Sequence, residues 1–489
     1  MKTTSAFICS SAVIAGSTHH AMAWTPSASD GIARKAPWVS HRQPLQAVAV
    51  PLSNVVENTD GFTSTRNTIQ NPKTVTAKSK LAIEDEWIST LDYDGFGKEV
   101  TQLGKQLLKE GGPDDTNHLR KIIKWRNLAA FAGIATMWMK PNIFTVAALS
   151  TWTYASWTMI AHHTCHGGYN RLAGPANANK FHSRKFAIGS VKQRMKDWLD
   201  WIQPEAWNVE HNRLHHYRLN ELEDPDLVQR NLEFVRENTS LPMWLKYAKV
   251  FAFMPIWKWY YYAPNTFKEL QIAKWKAESG QQDLPANIDT TQALTIRTLF
   301  RPKNESERFL VNMIQPARFF SAVVAPFFLA RFVLLPLPLL VLPSTVFYQN
   351  ALFNLITAEL MTNVHSFLTI VTNHAGEDLY TFDDAVKPRT SSFYVRQIVG
   401  SANYQCGSDA VDFAQGFLNY QVEHHVWPDL SMLQYQRGAP RLKALCEKYG
   451  VPYVQEYIWE RTRKTLRIMV GKTTMRSFPT EYEPAKDKA

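Results

Sequence analysis

At 489 residues, with 12% aromatic side chains and a mean hydropathy of −0.28, the chain fits neither a simple soluble enzyme nor a many-span transporter, and a body part membrane and part water-facing is expected. A net charge of +11 and a pI near 9.3 suit an anionic surface; no basic run interleaved with base-stacking aromatics occurs, so lipid rather than nucleic acid is the expected partner. Four cysteines (Cys9, Cys165, Cys406, Cys446) without a Cys-x-x-Cys pair exclude a disulfide framework, a zinc ribbon and a cysteine-ligated iron–sulfur cluster.

Lys2 precedes a mostly apolar stretch from Ala6 to Gly16, too short to span a bilayer, and Ala21-Met22-Ala23 places small residues where a cleavage site needs them. Residues 1–23 are therefore expected to be a signal peptide. Residues 24–80, rich in Ser, Thr, Ala and Asn and more basic than acidic, have the composition of a disordered transit segment. The pair resembles the bipartite plastid presequence of algae with secondary plastids, which implies a plastid (chloroplast) membrane. An ordinary secretory signal followed by a disordered tail, with residence in the endoplasmic reticulum membrane, is the alternative.

Residues 81–120 are expected to form a soluble N-terminal segment. Asn127–Met139 is apolar, Lys140-Pro141-Asn142 breaks it, and Ile143–Ala161 is free of charge for 19 residues. The two arms predict a helical hairpin, the first arm spanning only if Ile122, Ile123 and Trp125 extend it and Lys124 snorkels. Residues 167–309 are polar apart from the aromatic-rich stretch Trp244–Tyr262, which suits an interfacial helix or a packed core helix. A second hairpin follows: Arg318–Tyr348, interrupted by Arg331, Pro336, Pro338 and Pro343, then Ala351–Val371. The expectation is an all-α membrane protein with four transmembrane helices in two hairpins and a helical cap, a membrane domain over 121–455 and a C-terminal tail over 456–489.

Eight of the fifteen histidines fall in three groups: His162, His163 and His166; His211, His215 and His216; and His424 with His425, which Gln421 precedes. On a helix, His162 and His166 share a face, as do His211 and His215, and Gln421 lies one turn before His425. The hairpin topology puts all three groups on one side of the membrane, with His374 just past the last apolar stretch on that side. A donor set so rich in imidazole argues against Mg or Ca, and eight or nine imidazoles suffice for two ions. Breaking an unactivated C–H bond requires a metal that activates O₂, which redox-inert zinc cannot do. His163, rotated about 100° from His162, is as compatible with packing as with ligation. His365 would face away from His374, and His118, His182, His19, His20 and His41 are expected to be solvated or in removed sequence.

HHTCH, HNRLHH and QVEHH, in that order around two hairpins, resemble the three histidine boxes of membrane-bound fatty acid desaturases. The glutamine opening the third box and the run LNYQVEHHVWPDL followed by LKALCEKYGVPY resemble the front-end subgroup; Asn373-His374, Asp224-Pro225-Asp226-Leu227 and Gln397 fit the same family. The likeness runs over roughly residues 120–455, making 121–455 a membrane desaturase domain. It implies metal ligands at His162, His166, His211, His215, His216, His374, His424 and His425, with Gln421 a further candidate. His163, Asn212, Glu423, Asp224 and Asp226 are candidate ligands or partners that orient the imidazoles, as is Glu210. The implied cofactor is a pair of Fe ions, and the implied partners are a lipid-linked fatty acyl substrate, O₂ and a separate electron donor. No His-Pro-Gly-Gly motif of a fused cytochrome b5 domain occurs, and a plastid address would make the donor ferredoxin, with cytochrome b5 the alternative. The second box also has three residues between its first two histidines where two are common. Rival readings are a hydroxylase or ketolase of the same architecture acting on another lipid, and a non-redox zinc-binding membrane protein.

Overall fold

Helix signals recur along the chain, and a computed structural model of it describes residues 80–172, 179–281 and 283–489. The expected signal and transit segments, up to residue 79, lie outside the described residues. In α1 (Tyr93–Glu110), Asp92 caps the first turn through the Gly95 N–H, and Phe96, Val100 and Leu107 bury one face. Gly97 and Gly104 on that helix face Ser391 and Trp427 so closely that a Cβ at either would collide with them. α2 (Pro113–Thr136) begins with proline in its first turn, and Asp115 reaches back to the Gly112 N–H at 2.8 Å. The first arm of the first hairpin is thus one long helix whose polar opening turns precede its apolar part. Lys140-Pro141-Asn142 makes the turn, and Asn142 caps α3 (Ile143–Ala155) by accepting from the Thr145 N–H at 2.9 Å. α3 continues through a widened π-turn, Ser156–Ala161, into His162–Cys165.

The region between the hairpins carries α4 (Pro204–Val209), α5 (Met243–Phe253), α6 (Ala263–Ser279) and α7 (Ile296–Phe300). The aromatic-rich stretch divides: Trp244 and Phe251 on α5 are exposed, whereas Trp257 and Tyr262 are buried. The second hairpin is α8, a helical run over Pro316–Val341, and α9 (Val346–Ile370), which packs along α3. Among the described residues α8 alone is apolar and long enough to cross a membrane by length and composition, with a mean hydropathy of 2.1. Exposed apolar side chains nevertheless occur on all four hairpin helices, including Leu128 and Phe131 on α2, Ile143 and Phe144 on α3, Phe328 and Leu334 on α8, and Phe353 and Ile356 on α9. Arg331 does not break α8. It turns inward, over the ring of Trp152, donating to Thr153 Oγ1 at 3.1 Å with its Nε 3.6 Å from Glu359.

After α9 come α10 (Ser391–Val399), α11 (Gln421–Val426), α12 (Met432–Tyr449) and α13 (Ile458–Met469). Four strands of two residues each form two parallel pairs: β1 (Tyr380–Thr381) with β4 (Arg476–Ser477), and β2 (Asn403–Tyr404) with β3 (Gln455–Glu456). Residues 456–489, expected as a tail, are folded onto the body by α13 and β4. Beyond them Glu483 and Asp487 are buried, Glu483 against Arg396 at 2.7 Å and Asp487 on the N–H and hydroxyl of Ser392. The last residues of the chain therefore brace α10.

Candidate metal centre and adjoining cavity

The eight histidines expected as ligands meet in one buried place and divide into two adjoining groups. His162, His166, His211, His216 and His424 form one, and His215, His374 and His425 the other, the donor atoms within each lying within 4.8 Å of one another. Asp226 lies equally near His211 and His215. His162 and His166 share a face at the end of α3, as an α-helix one turn long requires. The second box departs from the simple helical expectation. Glu210–Leu214 is a π-turn and His215–Tyr217 a 3₁₀ turn, so His211 and His216 serve the larger group while His215 between them serves the smaller. A π-turn takes up an extra residue per turn, so the additional residue between His211 and His215 is absorbed without turning His211 away. On α11 successive residues point apart: His424 enters the five-histidine group, and Gln421 and His425 face the other.

Ring nitrogens face one another at close range. His162 Nε2 lies 2.8 Å from His424 Nε2 and 3.0 Å from His211 Nε2, and Nε2 of His166, His216 and His425 is buried without a hydrogen-bond partner. Burial foremost, then neighbouring imidazoles, holds His211, His216, His424 and His425 well below their ordinary protonation range, and burial does the same to His374. They are therefore neutral donors, which is what a transition metal needs. Lone pairs converging in a dry site are costly unless a cation lies among them, so this donor set fits a metal centre.

The opposite nitrogens of three of these rings are anchored. His215 Nδ1 is 2.9 Å from Asp224 Oδ1, His425 Nδ1 is 3.0 Å from Gln397 Oε1, and His424 Nδ1 is 3.2 Å from the Tyr435 hydroxyl. Burial pulls the His215 pKa down, but the charge and hydrogen bond of Asp224 overcome it and raise it. Asp224 is itself fixed by the N–H groups of Asn220 and Asp226. Gln421 Nε2 donates to His374 at 2.9 Å.

The remaining candidates are placed differently. His163 belongs to neither group; its Nδ1 is on the Met159 carbonyl at 2.9 Å and its ring packs beside His162, His424 and Tyr435. Glu423 joins neither group, because Asn403 and Tyr453 donate to its two oxygens, and burial pushes its pKa up to about 7. Asn212 donates to the Cys165 carbonyl and so ties the second box to the first. Glu210, buried with its pKa raised by desolvation, accepts from the Tyr262 hydroxyl. His365 bonds the Ala414 carbonyl, away from both groups. His118, expected in solvent, is buried against Phe417 and lies 3.4 Å from Asp409. Tyr435 and Trp207 were not legible in the sequence. Trp207 stacks on His211 at 4.4 Å and meets His162 edge-on, and no motif links it or Tyr435 to a histidine box.

A cavity of about 460 Å³ reaches both groups, touching His162 and His211 of one and His215 and His374 of the other. Trp157, Trp257, Phe367 and Leu418 give it apolar walls. Exposed Arg297, Arg301 and Lys303 also line it.

The fatty acid desaturase family model matches residues 136–457. Among curated proteins, the NADPH-dependent stearoyl-CoA 9-desaturase of Mycobacterium tuberculosis is 22% identical over 407 residues, 81% of this chain and 82% of the relative. Delta(8)-fatty-acid desaturase 2 of Arabidopsis thaliana is 31% identical over 97 residues, 20% of each chain. The acyl-lipid (9-3)-desaturase of Physcomitrium patens is 29% identical over 111 residues, 23% of this chain and 20% of the relative. No solved structure matches the chain. With two clusters of neutral, inward-facing imidazoles beside an apolar cavity, and the family model covering 136–457, the chain belongs to the fatty acid desaturase family and is an oxidoreductase.

Proposed function

We propose that this chain is a membrane-embedded desaturase of the front-end type, acting on a lipid-linked fatty acyl chain with two Fe ions in the histidine site and electrons from a separate carrier protein. The observation that carries it is the single cavity joining apolar walls to both histidine groups. The names of the relatives from Arabidopsis thaliana and Physcomitrium patens, and the glutamine that opens QVEHH, favour front-end chemistry on a lipid. The exposed apolar side chains of α2, α3, α8 and α9 favour four spans, and the first eighty residues favour a plastid membrane. When bound, the two irons would supply activation of O₂ for removal of two hydrogens from adjacent methylenes.

The chain's own residues do the rest. Trp157, Trp257, Phe367 and Leu418 hold the acyl chain extended and exclude water, so the depth it reaches selects the carbons beside the histidines. Asp224, Gln397 and Tyr435 hold three imidazoles in fixed orientations, leaving Nε2 of each to face inward.

The test is the fatty-acid profile of a host expressing the full chain with a ferredoxin system, beside a His215→Ala, His216→Ala variant. A new unsaturated acid, absent in the variant, is expected and its double-bond position gives the regiochemistry. A hydroxylated or keto product in its place overturns desaturation in favour of oxygen insertion.

A further inference from the structure

We infer that the groove between the middle of α1 and the start of α10 is the docking surface for an acidic one-electron carrier protein. The inference rests on the desaturase reading above. Lys98 and Lys105 on α1, Arg389 just before α10, and Lys486 line this groove, and none of them lines the acyl cavity. Lys98, Lys105 and Arg389 are exposed, and among the described residues none has a carboxylate within ion-pair reach. Nearby, Asp94 pairs with Lys486 at 2.6 Å and Glu99 with Lys448 at 2.6 Å, and Asp487, the one carboxylate lining the groove among the described residues, is buried and accepts from Ser392. Arg389 is held at φ +64°, a left-handed backbone a non-glycine residue rarely adopts, so its place on the groove wall is imposed by the fold.

What lies behind the groove gives these cations a purpose. α10 starts at the groove with Ser391 and, six residues on, carries Gln397, whose Oε1 is 3.0 Å from His425 Nδ1. At 1.5 Å per residue that is about 9 Å along the helix. A second line of contacts runs beside it. Thr101 on the groove wall donates to the Tyr394 hydroxyl at 3.5 Å, Tyr394 and Phe393 rings are 5.9 Å apart, Phe393 and Tyr217 6.0 Å, and Tyr217 follows His216 in the same turn. A carrier seated here lies one short helix from both histidine groups, on a face separate from the substrate's.

Each turnover calls for two visits. The acyl chain gives up two hydrogens with two electrons, two carrier molecules give one electron each, two protons come from solvent, and O₂ leaves as two waters. Such repeated encounters favour long-range attraction between a basic groove and an acidic partner over a large apolar interface.

The test is calorimetric titration of the detergent-solubilised full chain with an oxidised plant-type [2Fe–2S] ferredoxin, an acidic carrier, at low and high salt. The variant Lys98→Glu, Lys105→Glu, Arg389→Glu is compared with a charge-matched control, Arg297→Glu, Arg301→Glu, Lys303→Glu, and circular dichroism checks both for folding. Affinity is expected to fall on the order of tenfold or more in the groove variant, with loss of salt dependence, and to stay unchanged in the control. Equal affinity in the wild type and groove variant, or equal loss in both variants, overturns the inference. Because binding of oxidised carrier needs no turnover, this result is independent of whether the wild type, reduced with dithionite, forms a double bond.

Discussion

Gln397 shows how a side chain outside every histidine box can govern the metal centre. Its amide oxygen is the only anchor of His425 Nδ1 among the described residues, and the neighbouring histidines leave that ring no other polar contact. Gln397→Ala is expected to lower bound iron and desaturation about 10- to 100-fold, and Gln397→Glu, which keeps an acceptor, to recover most of the iron, measured by metal analysis of the purified protein and by product formation. The eight ligating candidates were legible because helical spacing and hairpin topology both constrain them. Their partners were not all so: Asp224 lies nine residues from His215 and was within reach of a local reading, whereas Tyr435 and Trp207 meet their histidines only through the packing of α12 and α4. Glu423, offered by the family likeness as a candidate ligand or a partner orienting the imidazoles, is turned by α11 toward Asn403 and Tyr453.

At the scale of elements, the hairpins were readable from apolar runs and their breaks; the first turn came where Lys140-Pro141-Asn142 placed it, but the second falls at residues 342–345, inside the arm expected over Arg318–Tyr348, because Pro343 ends the run and residues 346–348 open α9. Helix type was not readable. The π-turns before His162 and across His211 depend on packing around the site rather than on residue propensity; His211 and His215 remain neighbours, as helical spacing expects, but only His211 also joins the five-histidine group. Arg331 is a second case: in the sequence it weakens α8 as a span, and in the fold Glu359 and Thr153 meet it. Arg331→Met leaves the Glu359 carboxylate buried without its counter-charge and is expected to destabilise the protein by about 3–5 kcal/mol. The double variant Arg331→Met, Glu359→Gln should recover much of that loss. Thermal unfolding of the detergent-solubilised proteins measures both.

Across the whole molecule, the two ends of the described chain close around the site from outside. α1 lies on α10 and α12, and Glu483 near the end of the chain holds Arg396, the residue before Gln397, together with Asp384 and Glu221. Residues 456–489 were expected as a tail beyond the stretch that resembles the family. Their role is ionic and acts at a distance in the chain. Removing Glu483 leaves the guanidinium of Arg396, buried and in contact with Phe382, short of an acceptor. Glu483→Ala is therefore expected to reduce retained iron and lower the unfolding temperature together, and Glu483→Gln to soften both losses, read by metal analysis and thermal unfolding in parallel.

The split of the histidines into five and three makes the two halves of the centre unequal before any ion enters. With two ions bound as proposed, the position offering three imidazoles beside Gln421 would surrender its ion sooner than the one offering five, so purified enzyme would tend toward a half-loaded population. Fractional metal content in a preparation would then mark a particular vacancy, at the His215, His374 and His425 end, rather than a mixture of folded and ruined molecules.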